Sequence, residues 1–244
     1  YWVSLASLPK VTGPAMADAL GHFIDQSVDA VVVIAPNAPT LQALARASDL
    51  PPLVAVTSAP DVAGLAVADA DQALGARLAV EYLVGLGRRR IAHIAGPADF
   101  YHSLAREAAW KAVVEEHSLE TGPVVAGDWT GHSGLVATAQ LLAAGPIDAI
   151  FAGNDLMAMG ALVALKRAGL RVPGDVAVVG FDNLAGSDVT DPPLTTVDQD
   201  HEALGGAVLE LLDDQLRDAS PQPPQSDQQP PVMVPPRLIV RASA

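Results

Sequence analysis

The chain has 244 residues, half of them hydrophobic, no cysteine, and a net charge of -14 from 28 acidic against 14 basic side chains. That composition supports a sizeable core in one large domain or two lobes; the missing cysteine excludes disulfides, thiolate nucleophiles and zinc–thiolate sites, and suits a cytosolic setting. The acidic excess repels a phosphate backbone, so these residues do not grip DNA unaided, and no apolar run reaches the roughly 18 residues that span a bilayer.

The opening "YWVSLASL" lacks the basic flank and long apolar centre of a secretory signal. From Val28 onward, short β-branched runs alternate with helical periods: "VDAVVVIA" then 38–48, "PLVAVT" and "GLAVA" then 71–86, "RIAHIAG" then 103–117. The alternation continues with "PVVAGD" and 132–144, "DAIFAG" and 155–168, "DVAVVGF", a loop, "LTTV" and 200–218. Repeated strand–helix order predicts parallel sheets covered on both faces. Asp71 is placed to cap a helix whose Leu74, Leu78, Leu83 and Leu86 form its apolar face, with Gly87 closing it; Arg88, Arg89 and Arg90 follow, where cations favour the helix dipole. Leu204, Val208, Leu211, Leu212 and Leu216 give the last helix one apolar stripe. Residues 219–231 are too polar and proline-rich to pack and read as a surface loop, after which "RLIVRASA" returns to strand.

Ligands of open parallel sheets bind beyond the carboxyl ends of the strands, where loops converge and helix N-termini point inward. Four consecutive strands deliver Arg106, Trp129, Asn154 and Asp182 to that edge. A guanidinium fork, an indole plate, a carboxamide and a carboxylate together match a neutral polyhydroxylated ring, whose hydroxyls pair with the polar groups while its C–H face lies on the indole. Each residue also has a plainer role: Asn154 as a helix cap, alone or in addition to binding; Arg106 on a solvated helix face; Trp129 as packing; Asp182 and Asn183 as turn chemistry.

Enzyme motifs are weak. "GHSG" at 131–134 lacks the glycine a nucleophile elbow needs two residues after Ser133, since Leu135 stands there, so Ser133 reads as an early helix residue. No G-x-G-x-x-G follows a strand, and His22, His93, His102, His117, His132 and His201 show no metal-ligand spacing, so neither a cofactor nor a metal is expected. His93, inside an apolar strand, reads as a satisfied core residue.

"VEYLVGLGRRRIAHIAGP", "GDWTGHSG", "FAGNDLMAMGALVALKRAGLRVPGDVAVVGFDN", "DPPLTTVDQD" and "PPRLIVR" resemble, in order and spacing, the effector-binding core of the lactose-repressor (LacI/GalR) family. The resemblance implies a periplasmic-binding-protein-like fold of two doubly wound parallel-sheet lobes joined by three crossovers near 87–97, 197–200 and 230–237. Lobe one would hold 1–87 and 200–229, lobe two 88–198 and 232–244. Carried over by motif, Arg106, Trp129, Asn154 and Asp182 match effector contacts; Phe181 and His201 would line the cleft, and Phe100 and Tyr101 would tune which ligand fits.

The implied function is the ligand-sensing, dimerising core of a cytoplasmic transcription regulator without catalytic activity. It would bind a small sugar, with operator DNA read by a helix-turn-helix head that these residues do not include. The family's first strand and helix of lobe one also have no counterpart, so that "YWVSLASL" corresponds to the second strand and the chain reads as a fragment. A sugar-binding transport protein of the same fold, a regulator sensing a purine or nucleoside, and a hydrolase using Ser133 are the alternatives. What precedes Tyr1, a secretory signal or a helix-turn-helix, would separate transporter from regulator.

Overall fold

The structure is a computed structural model that describes residues 2–8, 10–60, 62, 64–217 and 230–244. Its elements run α1 (Gly13–Asp25), β1 (Val31–Ile34), α2 (Ala38–Arg46), β2 (Leu53–Val56), β3 (Ala66–Ala70), α3 (Gln72–Gly85), β4 (Ile91–Ala95), α4 (Tyr101–Glu116) and β5 (Val124–Ala126). They continue with α5 (Gly131–Ala144), β6 (Ala149–Ala152), α6 (Asp155–Arg167), β7 (Ala177–Phe181), β8 (Thr195–Asp198), α7 (His201–Arg217), β9 (Val232–Val234) and β10 (Arg237–Ile239). The chain forms two compact units, Tyr1–Asp69 with His201–Val234 and Ala70–Asp200 with Pro235–Ala244.

The first unit holds a four-stranded sheet in the order β1-β2-β3-β9. β1, β2 and β3 pair in parallel, Val31 opposite Leu53 and Val54 opposite Ala66. Met16, Leu20 and Leu44 of α1 and α2 pack on Val31, Val33 and Ala55, whereas Val208 and Leu212 of α7 pack with Val54 and Ala68. Covering helices on both faces is what an apolar parallel sheet requires. The second unit holds six strands in the order β10-β8-β7-β6-β4-β5, all parallel except the antiparallel β10. Leu141, Met157, Ala161 and Leu165 of α5 and α6 bury one core cluster with Ile94, Ile150 and Val178. Ala76, Val80, Trp110 and Val113 of α3 and α4 bury the other with Phe151, Val179 and Phe181.

Three sequence expectations need correction. The described part of "YWVSLASL" does not form the expected strand: residues 2–8 carry no regular structure, and Trp2, Val3 and Leu5 are exposed. An apolar run becomes a strand only where a sheet edge accepts its backbone hydrogen bonds, and no described strand pairs with it. Second, the first crossing falls at Asp69/Ala70 rather than near Gly87, because α3 packs in the second unit's core.

Third, the buried face of α3 is not its leucine stripe. Gln72, Gly75, Ala76, Ala79, Val80 and Leu83 are buried, while Leu74 and Leu86 are exposed. Small side chains let the helix lie close to the sheet: a β-carbon at Gly75 would stand 2.7 Å from the Phe181 ring. Asp71 does accept the Leu74 N–H, and Gly87 closes the helix at φ +81°. α1 went unforeseen, although Thr12 caps it and a proline stands in its first turn. Of the loop expected over 219–231, residues 219–229 lie outside the described residues.

Candidate functional site

Arg106 comes from the inner face of α4, where Ser103, Arg106, Trp110, Val113 and Val114 are buried at helical spacing. A buried guanidinium must be fully engaged. Its Nε and Nη2 both donate to Gln72 Oε1, at 2.9 and 2.7 Å, and Nη1 donates to the Gly153 carbonyl. The cation lies 3.6 Å above the centre of the Phe181 ring and 5.7 Å from the Trp129 ring. A desolvated cation–π contact of this kind contributes about 2 kcal/mol.

Asp182 follows β7 in a left-handed backbone conformation, φ +106°, with its N–H donating to Val197 O at 2.8 Å. Its Oδ1 accepts from Gln199 Nε2 at 2.7 Å and stands 3.7 Å from Arg106 Nη1. Gln199 Oε1 in turn accepts from Gln72 Nε2 at 2.8 Å. Arg106, Gln72, Gln199 and Asp182 thus close a ring of charge and amide contacts, with the carboxylate side chain one-fifth exposed. Bonds to charged groups in such a ring contribute about 1.5–3 kcal/mol each, more than neutral ones.

Asn154 does the work of a cap: its Oδ1 accepts the Met157 N–H at 2.9 Å at the start of α6. Its Nδ2 donates to the Trp129 carbonyl at 3.0 Å, so the same amide fixes the residue that carries the indole. Trp129 is half-buried at φ +70°, and Phe100 meets its ring edge-on at 6.2 Å. Two glycines make room for it, because a β-carbon at Gly96 would overlap the indole and one at Gly153 would stand 3.3 Å away.

Arg106, Trp129, Asn154, Asp182 and Phe100 are therefore gathered at one strand-end edge of the second unit. Tyr101, the first residue of α4, is half-buried. Phe181 is fully buried beneath the guanidinium of Arg106. Its ring is the floor beneath Arg106. His201 opens α7 in the first unit and is exposed.

Gln72 and Gln199 were missed by sequence reasoning. The only signal for Gln72 is a polar residue at the helical spacing of a buried face.

Two further buried groups lie behind the site. His93 is sandwiched between Phe151 and Trp110, ring centres 4.9 and 5.6 Å away, with Nδ1 2.9 Å from Phe151 O. Its Nε2 has no partner among the described residues, so the residue is half satisfied rather than satisfied. Burial lowers its pKa to about 4. Asp155 is fully buried beside Thr196 and Leu184, and burial raises its pKa to about 6.

Ser133 donates to Thr130 O and accepts from the Asp128 N–H, an N-terminal helix residue among its local partners. No group of three or more His, Cys, Asp or Glu among the described residues could hold a metal ion, and none of the described helices is long and apolar enough to cross a membrane. A groove of about 600 Å³ between α1 and α2 is lined largely by small and apolar residues and lacks a converging polar set.

A sequence model of the periplasmic binding protein-like domain matches residues 80–244. The chain belongs to the periplasmic binding protein-like domain family. It is 33% identical over 83% of its length to the HTH-type transcriptional regulator CelR of Thermobifida fusca, covering 61% of that protein. It is 39% identical over 57% of its length to the lactose operon repressor of Escherichia coli K12, covering 39% of it.

Among solved structures it resembles a CelR–cellobiose complex, with a TM-score of 0.84 and 30% identity over 96% of this chain and 71% of that one. It also resembles a dimeric Lac repressor, with a TM-score of 0.88 and 26% identity over 99% and 86%. The periplasmic binding protein-like chain spans about two to three fifths of the length of these curated relatives.

Proposed function

We propose that this chain is the ligand-sensing and dimerisation core of a cytoplasmic, DNA-binding transcription regulator, and that a small neutral sugar binds at the strand-end edge of the second unit. The observation that carries the reading is the Arg106–Gln72–Gln199–Asp182 ring beside the Trp129 plate. Asp182 offers acceptors to hydroxyls and the indole offers an apolar face, the pair of surfaces a sugar ring presents. The cation is already balanced by a carboxylate 3.7 Å away, which disfavours an anionic sugar. The relatives support the role: they are regulators by name, and one was solved with cellobiose. Operator DNA would be read by a helix-turn-helix head outside these residues, on a homodimer whose ligand shifts the balance of conformations. No catalytic step is assigned to the site.

A thermal-shift panel of neutral mono- and disaccharides, cellobiose included, against uronic acids and nucleosides tests the ligand class. A neutral sugar at a hundredfold its Kd should stabilise the chain by about 2.7 kcal/mol. A shift with nucleosides alone would replace the sugar reading with the purine one. In calorimetry, Asp182→Ala and Arg106→Ala should each weaken sugar binding by about 1.5–3 kcal/mol; unchanged affinity in both removes them from the site.

A further inference from the structure

The carboxylate of the proposed site stands on an unusual piece of backbone. Asp182 and Asn183 are consecutive non-glycine residues at φ +106° and +49°, a strained conformation that persists only where its surroundings dictate it. The contacts that dictate it lead to one buried side chain. The Leu184 N–H donates to Asp155 Oδ2 at 2.8 Å. The Asn183 N–H donates to Thr196 Oγ1 at 3.3 Å, and that hydroxyl donates to Asp155 Oδ1. Two successive amides of the turn are thus tied to the two oxygens of a single carboxylate.

From the other side, Arg241 Nη2 donates to Asn183 Oδ1 at 2.8 Å while its Nη1 donates to Leu194 O at 2.7 Å. Asp155 itself is held at the first turn of α6, where the helix dipole favours an anion. The neighbouring strand makes way for it, since a β-carbon at Gly180 would overlap Asp155 Oδ1. Burying a carboxylate is costly, and burial accordingly raises its pKa; what the buried group provides is the shape of the turn.

We infer that Asp155 is a positioning residue for ligand recognition, fixing the Asp182–Asn183 turn and hence the reach of the Asp182 carboxylate. With Asn154, which fixes the Trp129 carbonyl, it makes the dipeptide at the start of α6 the common anchor of both the carboxylate and the indole. A neutral hydroxylated ligand is then recognised by two surfaces whose spacing is set from one helix terminus.

The inference rests on the proposed site, so its test has an arm that needs no ligand. In residue-resolved amide hydrogen exchange on the whole chain, Asp155→Ala should speed exchange at Asn183 and Leu184 by roughly ten- to a hundredfold, the scale of a lost bond to a charged group. Val178 and Val179, inside β7, should stay as they are. Asp155→Asn keeps an oxygen for the Leu184 N–H and should lie within about threefold of the parent, a rescue that support of the fold alone does not predict. Gly180→Ala, which strikes the same carboxylate from the strand side, should reproduce the local acceleration even where Asp155→Ala does not fold.

With whichever neutral sugar the panel yields, affinity should fall roughly tenfold or more in Asp155→Ala and recover in Asp155→Asn. Unchanged exchange at 183 and 184 in both Asp155→Ala and Gly180→Ala, or equal acceleration throughout β6 and β7, overturns the inference. If no sugar binds the parent chain, the proposed function fails, while the exchange arm still decides whether Asp155 shapes the turn.

Discussion

The strand-end edges of the two units are both polar, and they satisfy their polar groups over different distances along the chain. In the first unit Asn37 and Thr40 exchange hydrogen bonds three residues apart in a capping box at α2, Ser58 bonds Asp69 eleven residues on, and the longest of these reaches, Asn37 Nδ2 to Val11 O, spans 26. In the second, Arg106 meets Gln72 across 34 residues and Gln72 meets Gln199 across 127. Short-range contacts finish a local element. Long-range ones tie separate elements into a rigid arrangement, which is what preorganised recognition needs. The sheets differ in the same sense: β1 leaves Val32 and Ile34 46% and 65% exposed, while β4, β6 and β7 are buried throughout.

The largest expected effect tests how tightly the second unit is built. A β-carbon at Gly160 in α6 would overlap the Gly131 carbonyl of α5, backbone that cannot swing aside. Gly160→Ala should cost about 3 kcal/mol in urea unfolding. Gly21→Ala in α1, where nothing lies within 4 Å, should instead add about 0.5–1 kcal/mol by restoring helix propensity. Equal costs at the two glycines would erase the contrast.

Acid gives the next largest effect. His93 is neutral when folded, its pKa lowered to about 4, so the unfolded chain takes up the proton first. Its contribution to stability is complete above the ordinary histidine pKa of roughly 6.5 and is lost as pH falls toward 4, up to about 3 kcal/mol. Asp155, raised to about 6, acts oppositely: its contribution is present below the usual carboxylate range and is lost as pH rises through 6. The difference in urea midpoint between the parent and His93→Leu across that window isolates the histidine. A pH-independent difference would mean the ring is already charged or solvated.

Smallest, and closest to the site, Gln72→Leu removes the oxygen shared by Arg106 Nε and Nη2 and should cost about 1–3 kcal/mol while weakening sugar binding. Ser58→Ala, a local contact of the first unit's edge, should change stability by about 0.5–1.5 kcal/mol. Paired unfolding curves check both, and a larger loss at Ser58 would reverse the order of the two edges.

The same distinction governs what could be read from the chain. Strand–helix alternation is local and periodic, so the parallel architecture and the ends of α3 and α6 follow from it, as does the delivery of Arg106, Trp129, Asn154 and Asp182 to one edge. Gln72 and Gln199 do not, since an uncharged amide on a helix carries no local mark of a partner 127 residues away. α1 was hidden because Gly13, Pro14 and Gly21 look like loop residues, although Pro14 stands where a helix accepts it. The segment at 2–8 misled in the opposite direction, for β-branched and aromatic residues favour extended chain without supplying a neighbour to pair with. Phe181, at the end of β7, is buried with its ring beneath Arg106, a contact that adjacency to Asp182 alone does not reveal.

Gly96 gives the proposed site a fixed gauge. With only hydrogen at that position, the indole of Trp129 lies directly against main chain, so the height of the aromatic shelf is set by the end of β4 and not by a side chain that could adjust. Any larger residue there would lift the shelf and narrow the space above it. The bulk of ligand the proposed site would accept is thereby set by a position that carries no side chain.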